Sequence, residues 1–179
     1  MKGQIIVPAL VAWFGIGMPA LAAETNLTAS KRAAVMDFEL INEMRDYETK
    51  DSQAAQQHRL ALISDALRAE FDQRGLYRTV DNNAAAKLIA DQKAMQDLRN
   101  CNGCELDIGR ALGADVVILG WVQKVSNLIL NVNIEVKDVA SGKTLYTKSV
   151  DLRSNSDNSW LRGIRYMVDS IEEKKQHLR

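Results

Sequence analysis

Residues 108–152 constrain the fold more than any other stretch of this chain. Val116, Val117, Ile118 and Leu119 form an unbroken apolar run bounded by turn-forming residues, which suits a strand buried on both faces. The period then changes. Leu130, Val132, Ile134 and Val136 alternate with Asn131, Asn133, Glu135 and Lys137, the pattern of a strand with one buried and one wet face. Ser126 and Asn127 mark the turn between these two strands. A tight reversal at Ser141 and Gly142 returns the chain as a third strand over 143–152. The prediction is a meander fed by a short helix, forming the sheet of a single domain.

The flanking sequence extends that sheet. Residues 31–40 predict a first strand with Ala34, Met36, Phe38 and Leu40 on one face and Asp37 and Glu39 on the other, half exposed or at a sheet edge. Residues 41–52 are polar and without a clean period, and predict a loop long enough to bind something. Leu60, Ile63, Leu67 and Phe71 recur at helical spacing within 53–74, and Gly75 stops that helix before a short strand at 76–80. Helices follow at 84–98 and 104–112, separated by a turn at 100–103. Gly109, Gly113 and Gly120 read as helix-stop and close-packing positions. The cluster 154–159 predicts the cap of a last helix whose stripe is Trp160, Ile164, Met167 and Ile171. The fold class is therefore α/β: one domain with a mixed β-sheet of about five strands, parallel in an early βαβ unit and antiparallel in the late meander, packed with helices.

The first residues set the expected compartment. Lys2, an apolar run over 5–16 and the small residues Ala20, Ala22 and Ala23 predict a signal peptide over 1–22, with cleavage after Ala22 or Ala23 and the domain over 23–179. The apolar run is too short for a spanning helix, so no membrane span is expected after cleavage. With a formal net charge of zero and no basic stripe, the chain lacks the electrostatic footprint of nucleic-acid binding.

Export changes the reading of the only two cysteines, Cys101 and Cys104. Three readings are open: a disulfide stapling the turn to the next helix, a redox pair, or part of a metal site. Glu105 and Asp107 put negative charge beside Cys104, which opposes thiolate formation. A zinc site needs further ligands, and the only histidines are His58, within a helix, and His177, in the tail. No nucleophile elbow, His-Glu-x-x-His or phosphate loop is present, so the expectation is no catalytic residue, no metal and no cofactor. Arg153, Asn155, Asp157 and Trp160 form a polar stretch denser than a cap requires and are candidate partner-binding residues, together with the loop at 41–52.

Two resemblances bear on function. Residues 33–39, 75–80, 112–120 and 139–143 resemble the amino-terminal domain of TolB and the related periplasmic domain of CsgG-type proteins. That likeness implies an α/β module of an envelope protein that acts by binding other proteins. Residues 37–41, the Cys-x-x-Cys motif, 123–130 and 156–160 are similar to a family of small exported proteobacterial proteins of unknown function, and that similarity implies a periplasmic quinoprotein oxidation system as a context. The expected function is a periplasmic, non-enzymatic binding or assembly module whose partner is another envelope or periplasmic protein. The alternative is a thiol-disulfide or metal-handling accessory acting through Cys101 and Cys104, thiol-disulfide exchange being the one enzymatic reading.

Overall fold

Strand β4 (Val116–Lys124) is the spine of the sheet. In the computed structural model, which describes residues 30–177, one side of β4 pairs in parallel with two successive strands, β1 (Arg32–Val35) and β2 (Glu39–Asn42). The other side pairs antiparallel with β5 (Leu130–Asp138), and β5 with β6 (Thr144–Leu152). A two-residue strand β3 (Arg78–Thr79) joins the far side of β1, giving the order β3-β1-β4-β5-β6. The helices are α1 (Lys50–Gln73), α2 (Ala86–Met95), α3 (Cys104–Ala111) and α4 (Asp157–His177). The signal peptide expected at 1–22 lies outside the described residues.

The mixed α/β architecture is as expected from the pattern, with the β1-α1-β3 unit parallel and the meander antiparallel. The sixth strand arises because the first predicted strand is two. Val35 lies opposite Ile118 but Glu39 opposite Trp121, so β1 and β2 hold one residue more than the stretch of β4 they follow. That extra residue is a bulge, and it resets the alternation of faces. Ala34 and Met36 therefore face one core and Phe38 and Leu40 the other, where a single uninterrupted strand would have aligned all four. Gly120 makes room for the kink: a Cβ there would sit 2.6 Å from the Phe38 ring.

Two cores flank the sheet. The larger packs α1 and α4 on one face, with Leu60, Ile63, Leu67 and Phe71 from α1 meeting Trp160, Ile164, Met167 and Ile171 from α4. α1 begins earlier than its apolar stripe suggests because Thr49 caps it, its hydroxyl accepting from the Ser52 amide at 3.2 Å. Gly75, at φ +62°, ends the helical run, and Leu76 N bonds back to Phe71 O. Leu76 and Tyr77 then turn into the core, which is why β3 is only two residues long.

The smaller core lies under α2 and α3. Ala34, Met36, Leu98, Cys101, Cys104, Ile108, Val117, Leu119 and Val139 fill it. α2 is shorter than its Ala- and Lys-rich sequence predicts. Residues 82–85 form a separate helical turn, and Leu98 leaves the helix to bury its side chain, its amide bonding to the Glu39 carboxylate. Helices cover only the part of this face near β1. On the remainder Trp121 stacks under Arg99, and among the described residues no helix packs over Asn131, Thr147 and Ser149.

Candidate docking surface at the end of the sheet

Three connections meet where β2 and β4 end: 43–49, 125–129 and 153–156. Residues 41–52, expected as one loop, begin with the last two residues of β2, pass through a helical turn at Arg45–Tyr47, and enter α1 at Lys50. Glu43 N donates to Lys124 O, which continues the β2–β4 ladder by one step and sets Met44 and Tyr47 at the sheet end. Opposite, the β4–β5 turn is closed by Val125 N and Ser126 N on Ile129 O, and Ser126 Oγ accepts from the amides of Leu128 and Ile129. With its backbone tied inward, this turn holds Leu128 78% and Ile129 62% exposed, and Tyr47 is 84% exposed nearby in the fold. Exposed large apolar side chains gathered at one end of a domain, beside polar groups, have the make-up of an interaction surface.

The third connection supplies the polar side. Asn155 Nδ2 donates to Asn127 Oδ1 at 3.0 Å, tying the β6–α4 connection to the β4–β5 turn. Arg59 of α1 donates to both Asn155 Oδ1 and Asp157 Oδ1. Arg153 is exposed on the same connection. Three of the four residues proposed from sequence thus sit together. Trp160 is the correction: it is fully buried on the inner face of α4 and cannot touch a partner in the folded protein. Its position one turn into α4, on the stripe that packs against α1, commits the indole to the core.

Beneath the surface lies a polar cluster that the sequence reading missed. Lys124, 1% exposed, forms an ion pair with Glu48 Oε1. The other Glu48 oxygen accepts from Asn42 Nδ2 at 2.9 Å and Gln56 Nε2 at 2.7 Å, and Gln56 also reaches Ser52 Oγ. Burial lowers the pKa of the Lys124 ammonium. A signal for Lys124 was present, since Val116, Ile118 and Val122 share its alternation phase and face the larger core. A lysine in that phase must find a buried anion, and Glu48 supplies it. The cluster fastens the 43–49 connection to the sheet that carries Leu128 and Ile129.

The cysteines lie elsewhere. Cys101 and Cys104 form a disulfide with Cα atoms 5.7 Å apart, Gly103 between them at φ +104°. Both are buried in the smaller core. One Glu105 oxygen approaches Cys101 Sγ at 3.1 Å and the other accepts from Lys137 Nζ at 2.8 Å. These three residues place ligand atoms within 4.8 Å of one another, but the sulfurs are spent on each other and the carboxylate on Lys137, a poor donor set for a cation. His58 and His177 are both exposed, on α1 and at the end of α4, with no part in this cluster.

Residues 31–171 match the DUF3280 family, whose description is "Protein of unknown function (DUF2380)". The chain belongs to that family. No curated protein matches it. Among solved structures it is similar to the LpoB C-terminal domain from Salmonella enterica, at a TM-score of 0.50 and 14% identity over 73% of this chain and 87% of that one. That match identifies a shared fold and nothing more. Lipoprotein GNA1162 from Neisseria meningitidis has a TM-score of 0.48 at 16% identity, covering 82% of this chain and 99% of that one. TolB from Acinetobacter baumannii, the likeness expected from the sequence, scores 0.39 at 10% identity over 78% of this chain and 28% of that one. No helix among the described residues is long and apolar enough to cross a membrane.

Proposed function

We propose that this member of the family is an exported, periplasmic, non-enzymatic binding module of the cell envelope, and that another envelope or periplasmic protein docks on the surface at 43–49, 125–129 and 153–157. The observation that carries this reading is the pair Leu128 and Ile129, held out of the fold by a turn whose own hydrogen bonds point inward. Apolar anchors on a rigid turn lose little conformational freedom on binding. Arg153, Asn155 and Asp157 supply the polar rim, and the Lys124–Glu48 cluster keeps the 43–49 connection in place. The sequence features at 1–22 support export, and N-terminal sequencing of the mature protein tests it by whether the chain begins at Ala23 or Glu24.

The thiol-disulfide alternative draws less support. Exchange begins with attack by an external thiolate on an accessible sulfur, whereas these sulfurs are buried with a carboxylate against Cys101. The deciding experiment installs a photo-crosslinking residue at position 128 and, separately, at 87 on the exposed side of α2, then analyses the periplasmic adducts. The expected result is a defined partner captured from 128 and not from 87, and lost when the rim charges are reversed in Arg153→Glu/Asp157→Arg. Equal capture from both positions sinks the docking surface.

A further inference from the structure

The turn closed by the disulfide carries a residue pair with chemistry of its own. Asn102 is exposed there and is the only asparagine in the chain followed by glycine. Residues 101–103 belong to neither helix nor strand, and α3 starts at Cys104. Among the described residues neither the Asn102 side chain nor the Gly103 amide makes a hydrogen bond. Gly103 has no side chain to shield its nitrogen, and a Cβ built there would meet nothing within 4 Å. The Asn102 amide carbon and the nitrogen after it are therefore both unengaged on an exposed turn. The asparagines followed by serine are placed otherwise. Asn155 is held through its side chain by Asn127 and Arg59, and Asn158 lies in the first turn of α4.

We propose that Asn102 and Gly103 form a self-modification site, at which the folded, oxidised protein converts Asn102 to isoaspartate. The Gly103 nitrogen, having lost its proton to hydroxide, bonds to Cγ of Asn102. The bond from Cγ to Nδ2 breaks, and that nitrogen leaves as ammonia after taking a proton from water. Water then opens the cyclic imide. Cleavage between Gly103 N and the main-chain carbonyl carbon leaves isoaspartate, cleavage between Gly103 N and Cγ leaves aspartate, and Gly103 N regains its proton either way. Nothing is oxidised or reduced, the disulfide included. The fold favours the first step, because Gly103 is the N-cap of α3 and its nitrogen loses its proton at the positive end of the helix dipole. The carboxylates that would oppose this charge, Glu105 and Asp107, are paired with Lys137 and Arg110. Isoaspartate routes the main chain through its side-chain carbon, so the ring closed by Cys101 and Cys104 gains a further main-chain atom. The longer ring constrains the turn less, and the loosening falls on the α3 side of the sheet.

The test ages the purified, disulfide-bonded protein in neutral and in mildly alkaline buffer, with Asn102→Gln beside it. Position 102 is followed by peptide mass spectrometry and by isoaspartyl methyltransferase labelling. The expected result is conversion at 102 about tenfold faster than at Asn155 or Asn158, faster in the alkaline buffer, with no labelling of Asn102→Gln. Amide exchange over 96–111 should speed up in the aged protein and not in freshly purified Asn102→Asp, which adds the charge without the extra atom. Asn102 that stays intact, or converts no faster than Asn155 and Asn158, overturns the proposal. So does conversion to aspartate alone, or labelling that persists in Asn102→Gln.

Discussion

The two faces of the sheet are stabilised by different means. Under α1 and α4 the core is broad and aromatic, centred on Trp160 and Phe71, and it absorbs a complete ion pair, Lys124–Glu48, at its margin. Under α2 and α3 the core is smaller, part of the face has no helix over it among the described residues, and a disulfide joins the turn to the helix that lies there. The lesson is that burial alone suffices where two long helices can be laid down, while short helices on a narrow patch gain from a covalent tie. The ion pairs differ in the same sense. Lys124 is sealed, whereas Lys137, which holds Glu105 beside the disulfide, keeps some access to water and a second carboxylate, Glu135.

The contrast predicts a ranking. Lys124→Ala leaves Glu48 buried and unpaired and should lower stability by about 3–5 kcal/mol in urea unfolding, with Lys124→Met/Glu48→Leu recovering most of it. Failure of the double variant to recover would mean that the amide partners Asn42 and Gln56, rather than the ion pair, dominate the cluster. On the other face, Cys101→Ser/Cys104→Ser opens only a short loop and should cost about 2 kcal/mol. Amide exchange should then speed up over 96–111 and stay slow in α1 and α4. Equal acceleration on both faces would break the comparison. Glu105→Gln should cost less still, on the order of 1 kcal/mol, because Lys137 retains Glu135 and water.

The first face also carries an alkaline pH dependence. Tyr77 and Tyr146 share a hydroxyl–hydroxyl hydrogen bond of 3.2 Å, and burial raises the pKa of both. The unfolded chain ionises its tyrosines near pH ~10, where the folded protein still binds those protons. Stability from this pair is therefore complete below about pH 10 and declines as pH rises beyond it. Tyr77→Phe should flatten that alkaline decline, as followed by the unfolding midpoint between about pH 9 and 11.

The meander was legible because its alternation is strong and uninterrupted, and the three strands lie where the pattern sets them. α1 and α4 were legible for the same reason, through their apolar stripes. The division of the first strand was not, because one extra residue changes neither composition nor hydrophobicity, only phase. The sheet-end surface was legible in Asn155 and Asp157 and misread in Trp160, where a polar neighbourhood concealed a core position. The Lys124–Glu48 pair escaped notice because its partners are far apart in sequence and meet only once β2 is laid beside β4.

The bulge between β1 and β2 makes the strand a phase shifter. Val35 and Leu40 share a face across an odd spacing only because the extra residue takes up the difference. Remove one residue, Asp37 for instance, and every side chain from Phe38 to Asn42 would turn to the opposite face. Glu39 would point into the dry core, and Asn42 would swing away from Glu48 and Gln56. Length in this connector is therefore quantised: losing a single residue reverses the strand, while losing two would preserve its orientation and merely shorten the reach to α1.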